Sequence, residues 1–86
     1  MHYVYFLYSK TANNVYVGCT SDLSERIEEH EKGLVESTRN RRPLVLIHKE
    51  QYSNLSLTRR REKYLKSLYG YRERTRILKG YLERDK

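Results

Sequence analysis

The chain has 86 residues, with 18 Lys or Arg against 11 Asp or Glu and a formal net charge of +7. That length allows one small domain, expected over residues 1–86. The lone Cys19 excludes a disulfide framework and any multi-cysteine zinc site, and no apolar run approaches the roughly 20 residues of a membrane helix. The N-terminal stretch Met1–Tyr8 lacks the layout of a secretion signal. A cytoplasmic protein with no membrane partner is expected.

The charge is unevenly spread. Residues 1–36 hold Lys10, Arg26 and Lys32 against six acids, a net of −3, whereas residues 37–86 hold fifteen bases against five acids, a net of +10. A half this basic predicts a polyanionic partner, nucleic acid first. A soluble surface with an arginine excess is the plainer alternative.

Tyr3–Tyr8 is aromatic and β-branched and reads as a strand; Thr11-Ala12-Asn13-Asn14 is turn chemistry; Val15–Cys19 returns as a second strand. Ser21 or Asp22 can cap a helix in which Leu23, Ile27 and His30 recur at helical spacing, with Gly33 ending it. A polar loop over 33–42 follows. Pro43 opens the apolar run Leu44–His48, a third strand; because the run is continuous, it is expected to be central or covered on both faces. Ser53 or Asn54 caps the next helix, with Leu55, Leu65, Leu68 and Tyr69 as its apolar stripe, and Gly70 breaks it. Tyr71–Leu82 reads as the last helix. The order β-β-α-β-α-α predicts an α+β fold, a small sheet with helices packed on it.

Four groups of residues can carry chemistry. Arg26 and His30 stand four apart on one helix face, where an arginine can hold a phosphate oxygen and a histidine can move a proton; a packed histidine beside a surface arginine fits the same spacing. Glu62 borders the apolar stripe, and its partner is either a neighbouring arginine or a divalent metal with oxygen ligands. Tyr3, Tyr5, Tyr8 and Tyr16 lie on the first hairpin, with Tyr3 and Tyr5 on one face and Tyr8 on the other. They can position water near a phosphodiester, or simply be strand residues with a polar tip. Finally, Arg39, Arg41 and Arg42 with Arg59, Arg60 and Arg61 fit contacts to a phosphate backbone, or a solvated basic face.

Tyr3-Val4-Tyr5, then Tyr16-Val17-Gly18, then Arg26-x-x-x-His30, then Glu62 resembles, in that order, the GIY-YIG nuclease domain. Leu23–His30, Arg42–Leu46 and Arg61–Lys66 extend the likeness over essentially the whole chain. It looks most like the small stand-alone bacterial members and is similar to the N-terminal nuclease domain of the excision-repair subunit UvrC. The resemblance implies a three-stranded antiparallel sheet flanked by helices and hydrolysis of DNA phosphodiesters with Mg²⁺ or Mn²⁺, in repair or recombination. Carried over, Tyr16 activates or orients the attacking water, Tyr5 supports it, Arg26 stabilises the phosphate, His30 assists proton transfer and Glu62 is the protein's metal ligand. Gly18 is expected to leave room for a phosphate or a helix beside Tyr16. Arg39, Arg41, Arg42, Arg59, Arg60 and Lys66 are the expected DNA contacts. The resemblance implies DNA as the partner, branched or damaged DNA among the candidates, with a specificity that is structure-based or weak, or supplied by a protein partner. Two departures stand out: Tyr3 replaces the first glycine of the motif, and no Asn follows Glu62. The second favours an alternative, a nucleic-acid-binding module of the same fold with weak or no catalysis.

Overall fold

Strand β1 (His2–Ser9) pairs antiparallel with β2 (Asn14–Thr20) on one side and β3 (Leu44–Tyr52) on the other, giving the sheet order β2-β1-β3. The computed structural model describes residues 1–84; the last two positions of the expected domain lie outside the described residues. Asn13 takes a positive φ of 52° in the tight turn between β1 and β2, as its short polar side chain allows.

The central strand is therefore β1, not β3 as the apolar run suggests. Val4 to Ser9 are all buried in succession, the mark of a strand covered on both faces. The run in β3 has another cause. Phe6 pairs with His48 and Leu7 with Leu46, so Ile47 is an extra residue in a β-bulge. The bulge interrupts alternation on an edge strand, and Ile47 packs against the core.

Helix α1 (Leu23–Glu31) starts where the Asp22 carboxylate accepts the Glu25 N–H at 3.1 Å, and ends at Gly33 with φ +78°. The loop beyond α1 includes a 3₁₀ turn at Arg39–Arg41. Helix α2 (Leu55–Lys66) is capped by Asn54, whose Oδ1 accepts the Leu57 N–H at 2.8 Å. A 3₁₀ turn (Leu68–Gly70) leads into α3 (Tyr71–Arg84). Gly70 is buried against α2, where a Cβ would stand 2.7 Å from Leu65 Cα.

The main core lies between the sheet and α2–α3: Val4, Phe6, Val17 and Leu65, with Ile47, Tyr52 and Ile77 packed around them. Burying a side chain such as Leu65 or Phe6 contributes about 2 kcal/mol. The stripe expected on α2 is only partly real. Leu65 is fully buried, and Thr58 rather than Leu55 joins it; Leu68 and Tyr69 point to solvent, because the helix ends at Lys66 before their spacing can bring them round. Strand alternation sends Tyr8 toward α3, where its ring meets Tyr81 at 6.2 Å, and Tyr5 toward α1. Those opposite faces set up the site.

Candidate active site

Tyr5 lies mid-way along the central strand and is fully buried. Its partner across the ladder is Gly18. A Cβ at that position would come within 2.5 Å of the Tyr5 hydroxyl and 3.0 Å of Tyr16 Cε1. The glycine is thus demanded by two tyrosine rings lying over it, and the space beside it is filled by the protein itself rather than left for a phosphate or helix.

His30, in the last turn of α1, is fully buried beneath the same rings. Tyr5, Tyr16 and His30 form a triangle of aromatic contacts, with centroid separations of 6.3 Å (Tyr5–Tyr16), 5.7 Å (Tyr5–His30) and 5.2 Å (Tyr16–His30). The hydroxyl of Thr38 donates to the Val35 carbonyl at 3.5 Å, which leaves it an acceptor for His30 Nδ1–H at 2.7 Å. Nε2 of His30 then accepts the Tyr5 hydroxyl proton at 2.9 Å. Burial lowers the histidine's pKa, and the nearby Arg26 charge adds to it. Burial pushes the Tyr5 phenol up to about 12 despite Arg26. Both effects favour a neutral phenol donating to a neutral imidazole. Arg26 itself is a third exposed and pairs with Glu29 at 3.1 Å.

Tyr16 is half-buried on edge strand β2 and lines two clefts. Arg26 and Ser37 border one; Arg41, Lys66 and Arg74 border the other. Lys66 Nζ stands 5.7 Å from the centre of the Tyr16 ring and bonds Glu62 Oε2 at 3.0 Å. The Cys19 thiol donates to Glu62 Oε1 at 3.3 Å. Burial and the Glu62 charge push that thiol's pKa up. Tyr5, Tyr16, Arg26 and His30 are thus one cluster, and Glu62 joins it through Lys66.

The other arginines are used in different ways. Arg39 is exposed on the 3₁₀ turn. Arg42 Nε donates to the Arg39 carbonyl at 3.0 Å, and its terminal nitrogen to the Glu31 carbonyl at 3.3 Å, so it closes the end of α1. Arg59 and Arg60 line a groove on the outer side of α2 with Lys63, apart from the Tyr16 clefts. Arg61 turns inward, bonding Glu50 Oε1 at 2.7 Å and Oε2 at 2.9 Å and also reaching Glu73. The contacts made by Thr38, Cys19 and Arg74 are not readable from the sequence. Thr38 and Arg74 carry no local signal, since their partners lie on other elements.

Among the described residues no three His, Cys, Asp or Glu side chains gather to hold a metal ion. Glu62, with a side chain 21% exposed, is one carboxylate held between Cys19 and Lys66, each of which lines a cleft. Such a donor fits Mg²⁺, which binds through one or two carboxylates, keeps several waters and shares substrate phosphates. No helix of the described residues is long and apolar enough to cross a membrane.

The site thus joins a central tyrosine strand, an edge tyrosine over glycine, and an α1 arginine and histidine packed against them, and residues 1–75 match the GIY-YIG catalytic domain. The chain belongs to this family of nucleases. Its relatives include small UPF0213 proteins. One from Staphylococcus haemolyticus is 39% identical over 67 residues, 77% of this chain and 80% of the relative. One from Natronomonas pharaonis is 38% identical over 68 residues, 78% and 79% of the two chains. One from Syntrophus aciditrophicus is 32% identical over 85 residues, covering 96% and 95%. No solved structure matches the chain.

Proposed function

We propose that this protein is a metal-dependent DNA endonuclease, acting as a single domain over residues 1–86. The observation that carries this reading is the convergence of Tyr5, Tyr16, Arg26 and His30 on one side of the sheet, with Glu62 tied to Tyr16 through Lys66. Phosphoryl transfer demands mainly positioning and charge stabilisation, and these residues supply both. Tyr16, open to both clefts, orients the attacking water. Tyr5, held by His30, fixes Tyr16 from the side; fully buried with both ring nitrogens bonded, His30 serves as this anchor in place of the proton-transfer role expected for it. Arg26 takes the charge that grows on the phosphate oxygens. Water forms the new P–O bond as the bond to the leaving sugar oxygen breaks; the proton the water loses passes to solvent in the open clefts beside Tyr16, and solvent returns one to the leaving oxygen. Glu62 would hold Mg²⁺ or Mn²⁺, whose chemistry there is Lewis-acid stabilisation of the phosphate and leaving oxygen. Arg39, Arg41 and Lys66, with Arg59 and Arg60 further out, carry the DNA backbone. The likeness to UvrC favours a task on branched or damaged DNA in repair or recombination, with a protein partner for targeting.

The test uses supercoiled, branched and single-stranded DNA with Mg²⁺ or Mn²⁺. Wild type is expected to cleave at least one of them, and Glu62→Gln to lose about 100-fold or more in rate. Equal inertness of both proteins on every substrate would refute the catalytic reading. A second reading, a binding module without chemistry, draws on the engagement of both Glu62 oxygens by Cys19 and Lys66. It predicts salt-sensitive binding with no cleavage.

A further inference from the structure

We propose that the 3₁₀ turn between α2 and α3 is a base-stacking platform that selects DNA with unpaired bases beside the cut. The proposal rests on the nuclease reading for the position of the cut, but not for the binding itself.

The turn and the first residue of α3 present Leu68, Tyr69 and Tyr71 at 92%, 85% and 59% exposure, whereas the tyrosines on the hairpin are mostly covered. These side chains are outside because the backbone holds them there. Gly70 is packed against Leu65 with no room for a Cβ. The Ser67 hydroxyl donates to the Tyr64 carbonyl at 2.6 Å, and Gly70 N–H donates to the Ser67 carbonyl at 3.2 Å. Arg74 donates to the Ser67 carbonyl at 2.9 Å and also to the Leu65 carbonyl. A braced turn offering aromatic rings loses little entropy when a flat partner lies on them.

Arg74 also connects this turn to the candidate site. Its guanidinium lies 5.8 Å from the Tyr71 ring, and it lines both the cleft that Tyr71 borders and the cleft shared by Tyr16, Arg41 and Lys66. Among the described residues, neither cleft has an acidic residue in its lining. One continuous strip therefore runs from the Tyr71 ring through the Arg74, Lys66 and Arg41 cations to Tyr16, with the exposed Tyr69 two residues before Tyr71.

Aromatic rings interleaved with cations suit a nucleic-acid strand whose bases are free to stack while its phosphates meet Lys and Arg. A duplex hides its base faces, so the rings discriminate against it. A second copy of this chain is disfavoured on the same strip, since each copy brings a net charge of +7. The occupant is a DNA strand with at least one unstacked base.

The experiment compares a fluorescent single-stranded oligonucleotide carrying 2-aminopurine with its duplex, at low salt. Tyr69→Ala and Tyr71→Ala are each expected to weaken single-strand binding about tenfold, to reduce the 2-aminopurine quenching and to leave duplex binding unchanged. Tyr69→Trp is expected to restore both. Equal losses on single strand and duplex, or no loss on either, would overturn the platform. So would a wild-type dimer in sedimentation that Leu68→Ser converts to monomer. Binding is measured without metal and also on Glu62→Gln, so a failure of the nuclease reading leaves this result readable on its own.

Discussion

His30 has both ring nitrogens committed, and that fixes what single substitutions around it do. Thr38→Val keeps the shape but leaves Nδ1–H without an acceptor in a fully buried place. The expected cost is about 1–3 kcal/mol, with Thr38→Ser recovering most of it, measured by denaturant unfolding. Nitrogen NMR is expected to find His30 neutral and protonated at Nδ1 at pH 7. A mixed tautomer in Thr38→Val would mark the hydroxyl as the group that sets it. Tyr5, Tyr16, Gly18, Arg26 and His30 are legible in the sequence because the motif order records a shared site. Thr38 is not, because a threonine in a polar loop looks like any other until the chain folds it onto His30. Gly18 is legible as a glycine but not in its reason, since the rings that exclude a side chain there arrive from two strands.

Between elements, the clasp of Arg61 with Glu50 and Glu73 joins α2, β3 and α3. Burial alone would raise the Glu50 pKa, but hydrogen bonds from Arg61, Tyr52 and His48 outweigh it and hold the group down to about 2. A carboxyl depressed in the folded state stabilises above its unfolded pKa of about 4.3 and loses that contribution as pH falls toward 2. Stability should therefore drop between about pH 5 and 2, by on the order of 3 kcal/mol from this group. Glu50→Gln should lower stability at pH 7 by about 2 kcal/mol and flatten that acid limb in thermal melts. His30 contributes an earlier limb: its lowered pKa means the unfolded chain takes up the proton first, so stability begins to fall below about pH 6.5. The helix caps at Asp22 and Asn54 were open to sequence reasoning because cap chemistry is local. The clasp was not, since Glu50 and Glu73 are 11 and 12 residues from Arg61 and on different elements. The bulge at Ile47 is why an edge strand reads like a central one.

At the scale of the whole molecule, the +7 charge divides into cations that face solvent and cations that hold the fold together. Arg41 borders the Tyr16 cleft, whereas Arg61 is consumed inside. Arg41→Ala should reduce the slope of log affinity against log salt by about 0.7–0.9 for DNA, and Arg61→Ala should lower stability while leaving the slope nearly unchanged. Titrations across a salt series, with melts of each variant, separate the two. Counting basic residues in the sequence overstates the binding surface for this reason. The sheet order has a kinetic side as well. β1 meets β2 across a four-residue turn, but reaches β3 only after 34 intervening residues that include α1. The hairpin can close quickly by itself, while the second side of the ladder must wait for a much larger loop to shut. Until then the aromatic middle strand has one bare edge, and the chain is most open to pairing with a stranger during that interval.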